Sequence, residues 1–488
     1  MKKNIILFFL VVSPLFTYGQ STKITLEEAI KNAQKNSLAY QETLNTYRSS
    51  YWSYRRYKAR FLPLLRLGAT LPNYSEEITL VTQNDGSQTY RNRNQIRTDL
   101  NLNLRQNVAF TGGTFSIGSN LNRIENFDTN IKGYTFTPFS INYSQSNIFF
   151  NPFKWDKKIE PLRYQQSQRA FLENMERISS NTCRLYFTLL RKQIEIKIGN
   201  DNLKNQAALL NISKGRYKVG TIAENELLQM ELTYLKSKNK LTKDSISLKR
   251  AAQDFALYLN INTENLELTT PNKLKFFEVN VDRAINEAKE NRKDFLNFRR
   301  RILEKEKEVA RVKGTNKLTI DVNARLGRSK GAENLDSALD LNDFNKNQSI
   351  NVSLGVPILD WGRSRTDRKR AETDLDLEKI RVQQEERDFK QTIEFLVLNW
   401  SNQTGLLNVA EKTKEIAVKS YEIAKQRYIL GKITITDLNI AQSAMDSAYI
   451  AYLSALQNFW NDYYELRRST LFDFIENKKI STEDILFE

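Results

Sequence analysis

The chain has 488 residues, of which 27% are charged, and lysine plus arginine exceed aspartate plus glutamate by 74 to 57. It has no histidine and one cysteine, Cys183, which excludes an intrachain disulfide, thiolate metal cages and catalysis by imidazole. Past its first residues, no run of about 18 apolar residues could form a membrane-spanning helix. Basic residues are interleaved with acids, which indicates solvated helix faces. We therefore expect no enzyme activity, cofactor, metal or nucleic-acid partner.

The first 19 residues have the pattern of an export signal. Two lysines precede an apolar stretch from Ile5 to Phe16, and the small residues Thr17 and Gly19 lie just before a predicted cleavage at Gln20. No cysteine lies near the cut, so we expect no lipid anchor there. A buried strand or short helix of a cytoplasmic protein is the alternative interpretation. Export predicts that the mature chain functions outside the cytoplasm.

Two pairs of similar segments predict a large internal duplication. Residues 29–69 resemble residues 284–324 at an offset of 255, and residues 215–229 resemble residues 426–440 at an offset of 211. The offsets differ by 44 residues (255 less 211), which places an insertion in the first copy around residues 73–133. We predict a signal peptide, two structural repeats and a C-terminal tail, at residues 1–19, 20–270, 271–475 and 476–488.

Long helices are predicted in both copies. Residues 156–216 contain one proline, Pro161, and as a continuous helix would extend roughly 90 Å. The next helix repeats apolar residues in strict sevens, at Leu227, Tyr234, Leu241, Leu248 and Phe255. The last helix alternates steps of three and four, at Leu438, Ala441, Met445, Ala448, Tyr452, Ala455 and Phe459. Spacings that average 3.5 residues are typical of coiled coils, so we assign these residues to helix packing.

Six strands are candidates, and apolar and polar residues alternate along four of them, within residues 64–71, 98–108, 318–326 and 350–356. Four lie in the first copy and two in the second, at residues 64–71, 98–108, 114–122, 135–146, 318–326 and 350–356. Such alternation fits a soluble sandwich or a transmembrane barrel. The other elements are long helices that offer no obvious cover for the apolar faces, which favours lipid. One chain supplies too few strands for a wide barrel, so closure requires several subunits.

Three segments resemble the TolC family of outer-membrane efflux proteins. They are RYKVGTIAENELLQMELTYLKSKNKL in the first copy, and VPILDWGRSRTDRKRAETDL and QRYILGKITITDLNIAQSAMDSAYIAYLSAL in the second. The resemblance covers nearly the whole mature chain. It implies a mixed α and β membrane protein that forms a homotrimer. A transmembrane β-barrel, normally of twelve strands with four per subunit, continues there into a periplasmic α-barrel of long coiled-coil helices.

The resemblance also implies a function and partners. Channels of this family are passive conduits in the outer-membrane lipid for efflux or secretion, joined to an inner-membrane pump through a periplasmic adaptor, the membrane fusion protein. The alternative is a periplasmic coiled-coil adaptor or structural protein without a membrane barrel. The heptad helices alone would suffice for that role, but the alternating strands and the duplication argue against it.

Two glycines occupy equivalent positions after long helices. Gly220 and Gly431 can adopt the positive φ that ends a helix and reverses the chain. The resemblance implies that the turns form the periplasmic tip that contacts the adaptor, through Arg216, Tyr217, Val219, Gly220, Arg427, Tyr428, Leu430 and Gly431. Simple helix caps are the alternative.

The resemblance implies a closed channel entrance at Asp437 and Tyr428, with Glu226 as the equivalent of Asp437 in the first copy. Three subunits would bring three Asp437 carboxylates together, which would raise their pKa and attract cations. The sequence departs from the family at Ile433 and Ile440, where an arginine link and a second acid are expected. A carboxylate at a helix start is the alternative role for Asp437.

Six candidate strands exceed the four that the family implies. We expect the hairpin of residues 98–122, with its Gly112–Gly113 turn, to project beyond the membrane or to extend existing strands. An enlarged barrel is the alternative. Aromatic residues near Pro152 and Pro357 predict an interfacial belt or packing where strands give way to helices, at Phe149, Phe150, Phe153, Trp155 and Trp361.

Overall fold

The computed structural model describes residues 22–262 and 266–481, so the predicted signal peptide and the end of the predicted tail lie outside the described residues. The first half contains β1 (Thr22–Ile24), α1 (Leu26–Asn36), α2 (Leu38–Ala59), β2 (Leu64–Thr82), β3 (Gln88–Asn107), β4 (Thr114–Asn126), β5 (Ile131–Gln145), α3 (Pro152–Lys218) and α4 (Glu224–Leu259). The second half contains β6 (Leu266–Leu268), α5 (Val281–Asn291), α6 (Lys293–Thr315), β7 (Thr319–Ala332), α7 (Leu335–Leu339), β8 (Asn345–Gly355), α8 (Arg363–Ile429), α9 (Ile435–Thr470), β9 (Phe472–Asp473) and β10 (Lys478–Lys479).

The helices of the two halves match in order and in length. α1 and α5 each have 11 residues, α3 and α8 each have 67, and α4 and α9 each have 36. Both ends of α3 precede the ends of α8 by 211 positions, and the same offset relates α4 to α9. The predicted internal duplication is therefore confirmed.

Side-chain caps fix the start of the short helix in each half. The Thr25 hydroxyl accepts a hydrogen bond from the Glu28 amide while the Glu28 carboxylate accepts one from the Thr25 amide, a capping box for α1. The Asn280 side chain accepts from the Arg283 amide at the start of α5. Each helix ends at a residue with extended backbone, Ser37 or Arg292, after which the next helix begins.

The halves differ in their strands. An offset of 255 aligns the starts of β2 and β7, and an offset of 211 aligns β8 with the middle of β5. β3 and β4 are therefore the additional strands of the first copy. They lie within residues 73–133, where the sequence places the insertion.

The longer strands form one antiparallel sheet in the order β2-β3-β4-β5-β7-β8. β3 pairs with β2 on one side and with β4 on the other, and β4 pairs in turn with β5. The prediction that residues 98–122 project from the membrane or extend other strands is therefore wrong. Both strands of that hairpin have hydrogen-bonded neighbours on each side, so they lie in the interior of the sheet.

One part of the sheet extends past the rest. The β2–β3 ladder continues to Thr82 and Gln88, whereas β4 pairs with β3 only as far as Gln95. Residues 76–94 therefore form a two-stranded extension, which ends in a turn where Gly86 has a φ of 83°.

The described residues fall into two compact units. One consists of residues 46–170 and 293–389 and contains the six-stranded sheet. The other consists of the described parts of 1–45, 171–292 and 390–488, where β1 pairs in parallel with β6. No helix in the described ranges combines the length and apolar character needed to cross a bilayer.

A buried ionic cluster lies in the unit that contains β1. The Arg467 guanidinium contacts both oxygens of Glu176 at 3.1 Å and also binds Asp473 and the Tyr463 hydroxyl. Glu176 and Asp473 are almost completely buried. Burial by itself would lower the pKa of Arg467, because it disfavours the charged guanidinium. The interactions with Glu176, Tyr463 and Asp473 are stronger than this effect, so the pKa of Arg467 is raised. The cluster ties α9 to α3 and to β9.

Replacing Arg467 with methionine should strongly destabilise the protein. The change leaves two buried carboxylates without their cation, a loss of about 3–5 kcal/mol for buried pairs of this kind. Denaturant unfolding of the full chain in detergent, monitored by circular dichroism, measures this loss as a shift in the unfolding midpoint. Lys412→Met is the control, because the Lys412–Glu415 pair is exposed and should contribute little. Equal midpoints for the two variants would contradict a stabilising role for Arg467.

Candidate functional site

One face of the sheet carries an apolar row that crosses five adjacent strands. In register, Leu65 lies opposite Leu104, Leu104 opposite Ile117, Ile117 opposite Ile141, and Ile141 opposite Leu326. All but Ile141, which is half-buried, are exposed in this chain. We call this the apolar face. The predicted alternation is confirmed, and no part of the described chain covers the face fully.

The opposite face carries small and polar side chains. The neighbouring row runs Arg66, Asn103, Gly118, Ser140, Gly327 and Asn347. On the same face the Arg325 guanidinium donates to the Asn142 amide oxygen at 2.8 Å, and the Ser144 hydroxyl donates to Asn323 at 2.8 Å. A sheet that is apolar on one side and polar on the other suits a boundary between lipid and water.

Aromatic side chains at the junctions with helices divide into two groups. Trp361 is 90% exposed and has a φ of 52°, and Phe149 is also exposed. Phe153, by contrast, is buried, with its ring 5.4 Å from the ring of Phe61. Phe150 and Trp155 are half-buried. Sequence reasoning missed Phe110, which is exposed in the β3–β4 turn. The belt prediction therefore fits Phe149 and Trp361 better than Phe153.

The two glycine turns have the same backbone geometry. Gly220 has a φ of 74° and Gly431 a φ of 72°. In the first turn the amide of Gly220 donates to Tyr217 and that of Thr221 to Arg216, and the second turn repeats both bonds at the equivalent positions. This pattern is a Schellman motif, in which a left-handed residue closes the end of a helix.

Side chains of the two turns differ although their backbones match. Tyr428 is 5% exposed, and its hydroxyl lies 3.0 Å from the Ser213 hydroxyl. Arg216 donates to the carbonyl oxygens of Tyr428 and Ile429, at 3.3 and 2.8 Å. The equivalent Tyr217 is exposed. Arg216 and Tyr428 therefore join the turns, whereas Tyr217 is available at the surface.

Apolar residues next to the glycines are exposed as well. Val219 is 73% exposed and Leu430 is 67% exposed, and Arg427 also faces solvent. We call Tyr217, Val219 and Leu430 the tip surface. The structure brings these residues onto two equivalent turns.

Asp437 lies at the start of α9. Its carboxylate accepts hydrogen bonds from the Thr434 amide at 3.0 Å and the Thr434 hydroxyl at 2.7 Å, and its amide donates to that hydroxyl. These bonds lower the pKa of Asp437 below its ordinary value. The position of Glu226 in α4 is equivalent, but the N-cap residue of that helix is Ala223, whose side chain makes no capping hydrogen bond. Within one chain, Asp437 is thus a helix-start carboxylate.

The two positions that depart from the family pattern have different surroundings. Ile433 is half-buried and packs against an apolar cluster that includes Tyr428, Leu438 and Met230. Ile440 is exposed. Ile433 therefore contributes to packing beneath the second turn.

Two polar contacts between α3 and α9 were not predicted from the sequence. The Gln206 amide donates to Gln442 at 2.7 Å, and both residues are buried. The Asn202 amide donates to the Asp446 carboxylate at 2.9 Å. Burial raises the pKa of Asp446, against the opposing influence of Lys240. Polar pairs inside a helical seam fix its register at some cost in stability.

Residues 284–470 match the family model described as outer membrane efflux protein. The resemblance to outer-membrane efflux proteins is confirmed. No curated protein sequence matches the chain.

Solved outer-membrane channels share the fold. The CmeC outer membrane channel of Campylobacter jejuni has a TM-score of 0.66 at 14% identity, covering 91% of this chain and 85% of its own. The outer membrane protein VceC of Vibrio cholerae has a TM-score of 0.64 at 14% identity, covering 91% and 95%. The open MtrE outer membrane channel of Neisseria gonorrhoeae has a TM-score of 0.60 at 13% identity, covering 91% and 88%. The chain therefore has the duplicated channel fold of long α-barrel helices and β-barrel strands.

Replacing Asp446 with asparagine should stabilise the protein at neutral pH. The pKa of Asp446 is higher in the folded chain than in the unfolded chain, where an aspartate has a pKa of about 3.9. The stability contributed by Asp446 is therefore present at lower pH and is lost as pH rises through the raised pKa. Asparagine does not ionise, so the variant does not lose this stability as pH rises. Its amide oxygen can still accept a hydrogen bond from Asn202.

Thermal unfolding of the full chain between pH 3 and pH 8 measures the effect. The midpoint of Asp446→Asn should exceed that of the parent at pH 7, and the difference should shrink towards pH 3. Asp201→Asn, on the exposed side of α3, serves as the control. A lower midpoint for Asp446→Asn at pH 7 would show that the carboxylate is stabilising.

Proposed function

We propose that the chain is the outer-membrane channel of a tripartite export system, a passive conduit without catalytic activity. The observation that carries the proposal is the apolar face, a row of large aliphatic side chains that crosses five hydrogen-bonded strands and is exposed on four of them. Burying such side chains in lipid is favourable by about 25 cal/mol per Å² of apolar surface. Water would instead favour burial of that face within the chain.

The proposal includes a homotrimer. Six strands are fewer than the eight of the small closed barrels, so this sheet needs strands from other copies. The solved channels that share the fold support assembly in the outer membrane, with the helices extending into the periplasm. Three copies are what the family resemblance implies.

The tip surface suits an adaptor. It presents one aromatic and two aliphatic side chains on two similar turns, and large exposed apolar groups mark contact sites on soluble surfaces. The adaptor would connect the channel to an inner-membrane pump. Asp437 and Glu226 lie near these turns in the chain, and a cation-attracting ring of Asp437 carboxylates stays part of the proposal.

Cell fractionation and light scattering test the channel proposal. We expect the mature chain in the outer-membrane fraction, at about three chain masses after subtraction of detergent, because the sheet closes only between copies. A monomer or dimer released from the periplasm without detergent would overturn the proposal. It would favour the alternative of a periplasmic adaptor or structural protein.

Replacing Val219 and Leu430 with aspartate should abolish export while leaving the trimer intact. Both side chains are exposed, so their loss does not disturb the core, whereas two carboxylates at an apolar contact should weaken adaptor binding by at least about tenfold. Survival of host cells on a panel of dyes, detergents and metal ions measures export, with the gene deletion as reference.

Val219→Leu with Leu430→Val is the matched control, since it keeps the tip surface apolar. Wild-type survival of the aspartate variant would contradict the contact role. Loss of the trimer would instead assign the two residues to assembly.

A further inference from the structure

We infer that the closed β-wall of this protein has eighteen strands, six from each of three copies, rather than the twelve that the family resemblance implies. The inference rests on the proposed trimeric channel and specifies the number of strands in its β-barrel, and therefore the diameter of the barrel.

The added strands belong to the wall because of where they lie in the sheet. β3 and β4 are placed between β2 and β5, with ladders of hydrogen bonds on both sides. Strands that only decorated a four-stranded sheet would lie at an edge or outside it. Removing β3 and β4 would eliminate three ladders, β2–β3, β3–β4 and β4–β5, and leave β2 separated from β5.

Their side chains follow the same inside–outside pattern as the other strands. On the apolar face, Leu104 of β3 and Ile117 of β4 continue the row between Leu65 and Ile141. On the polar face, Arg105 and Ser116 occupy the equivalent row. A hairpin that projected into water would not require aliphatic side chains on the face that carries Leu104 and Ile117.

The two edge strands permit closure between copies. β2 and β8 each have a hydrogen-bonded neighbour on one side only. Because the sheet has an even number of antiparallel strands, β2 and β8 run in opposite directions. The β8 edge of one copy can therefore continue the antiparallel ladder onto the β2 edge of the next, and each copy adds six strands to the ring.

Strand number sets the size of the barrel. With strands about 4.8 Å apart and tilted by about 40°, eighteen strands give a backbone radius of about 18 Å, against about 12 Å for twelve. The cross-section enclosed by the wall is then about twice as large.

Distances between copies of one residue test this directly. In a three-fold ring, equivalent residues are separated by about 1.7 times the radius, so about 30 Å for eighteen strands and about 20 Å for twelve. Ser349 of β8 belongs to the wall in either case, whereas Ser116 of β4 belongs only to the eighteen-stranded wall. Both serines lie on the polar face in the same register row, through Asn142 and Arg325.

The experiment places a nitroxide label at Ser116→Cys or Ser349→Cys of the full chain and measures spin–spin distances in the detergent-solubilised trimer. The unsubstituted chain is the control, because its single cysteine, Cys183, is completely buried and burial raises the pKa of its thiol. We expect about 30 Å at both positions.

Three results would count against the inference, and they are distinguishable. A distance near 20 Å at Ser349 in a verified trimer would overturn the eighteen-stranded wall but leave the channel proposal standing. A value at Ser116 that differs from that at Ser349 would place β4 outside the wall. Absence of any distance between copies, with a monomeric mass, would overturn the channel proposal itself. If either label blocks assembly, electron cryomicroscopy of the unsubstituted trimer counts the strands instead.

Discussion

Backbone hydrogen bonding in an apolar surrounding is the constraint on which the rest of this structure depends. Each unpaired amide or carbonyl costs several kcal/mol in a bilayer, so strands there must form a closed ring. Here β2 and β8 leave their outer edges unpaired while the sheet presents its apolar face to the surroundings. In the proposed channel, pairing of these two edges between copies satisfies that requirement.

The duplication preserved backbones more faithfully than side chains. The turns at Gly220 and Gly431 have the same hydrogen bonds, yet Tyr428 is buried against Ser213 while its equivalent, Tyr217, is exposed. The position equivalent to Ser213 in the second copy is Ala424, which lacks the hydroxyl. The serine that pairs with the Tyr428 hydroxyl therefore has no hydroxyl-bearing equivalent in the second copy.

Sequence patterns predicted the duplication, the long helices and the two faces of the strands, because each has a periodicity that side chains must keep. They could not predict the neighbours of residues 98–122, since alternation defines a face but not a pairing partner. Residues 76–94 were missed as strands because polar side chains occupy both of their faces. The contacts of Gln442 and Asp446 were missed because each residue lies one position after a member of the apolar series, at Ala441 and Met445, so the series does not include it. The burial of Tyr428 was missed because its sequence context matches that of Tyr217.

The position of β3 and β4 also bears on how such channels diversify. A single inserted strand would make both edges run in the same direction, and identical copies could then no longer join through an antiparallel ladder. An inserted hairpin keeps the two edges antiparallel, so the ladder between copies of the proposed ring is preserved. In the proposed ring, one such hairpin in each of three copies adds six strands to the wall, while the matched helices of the two halves keep the same lengths.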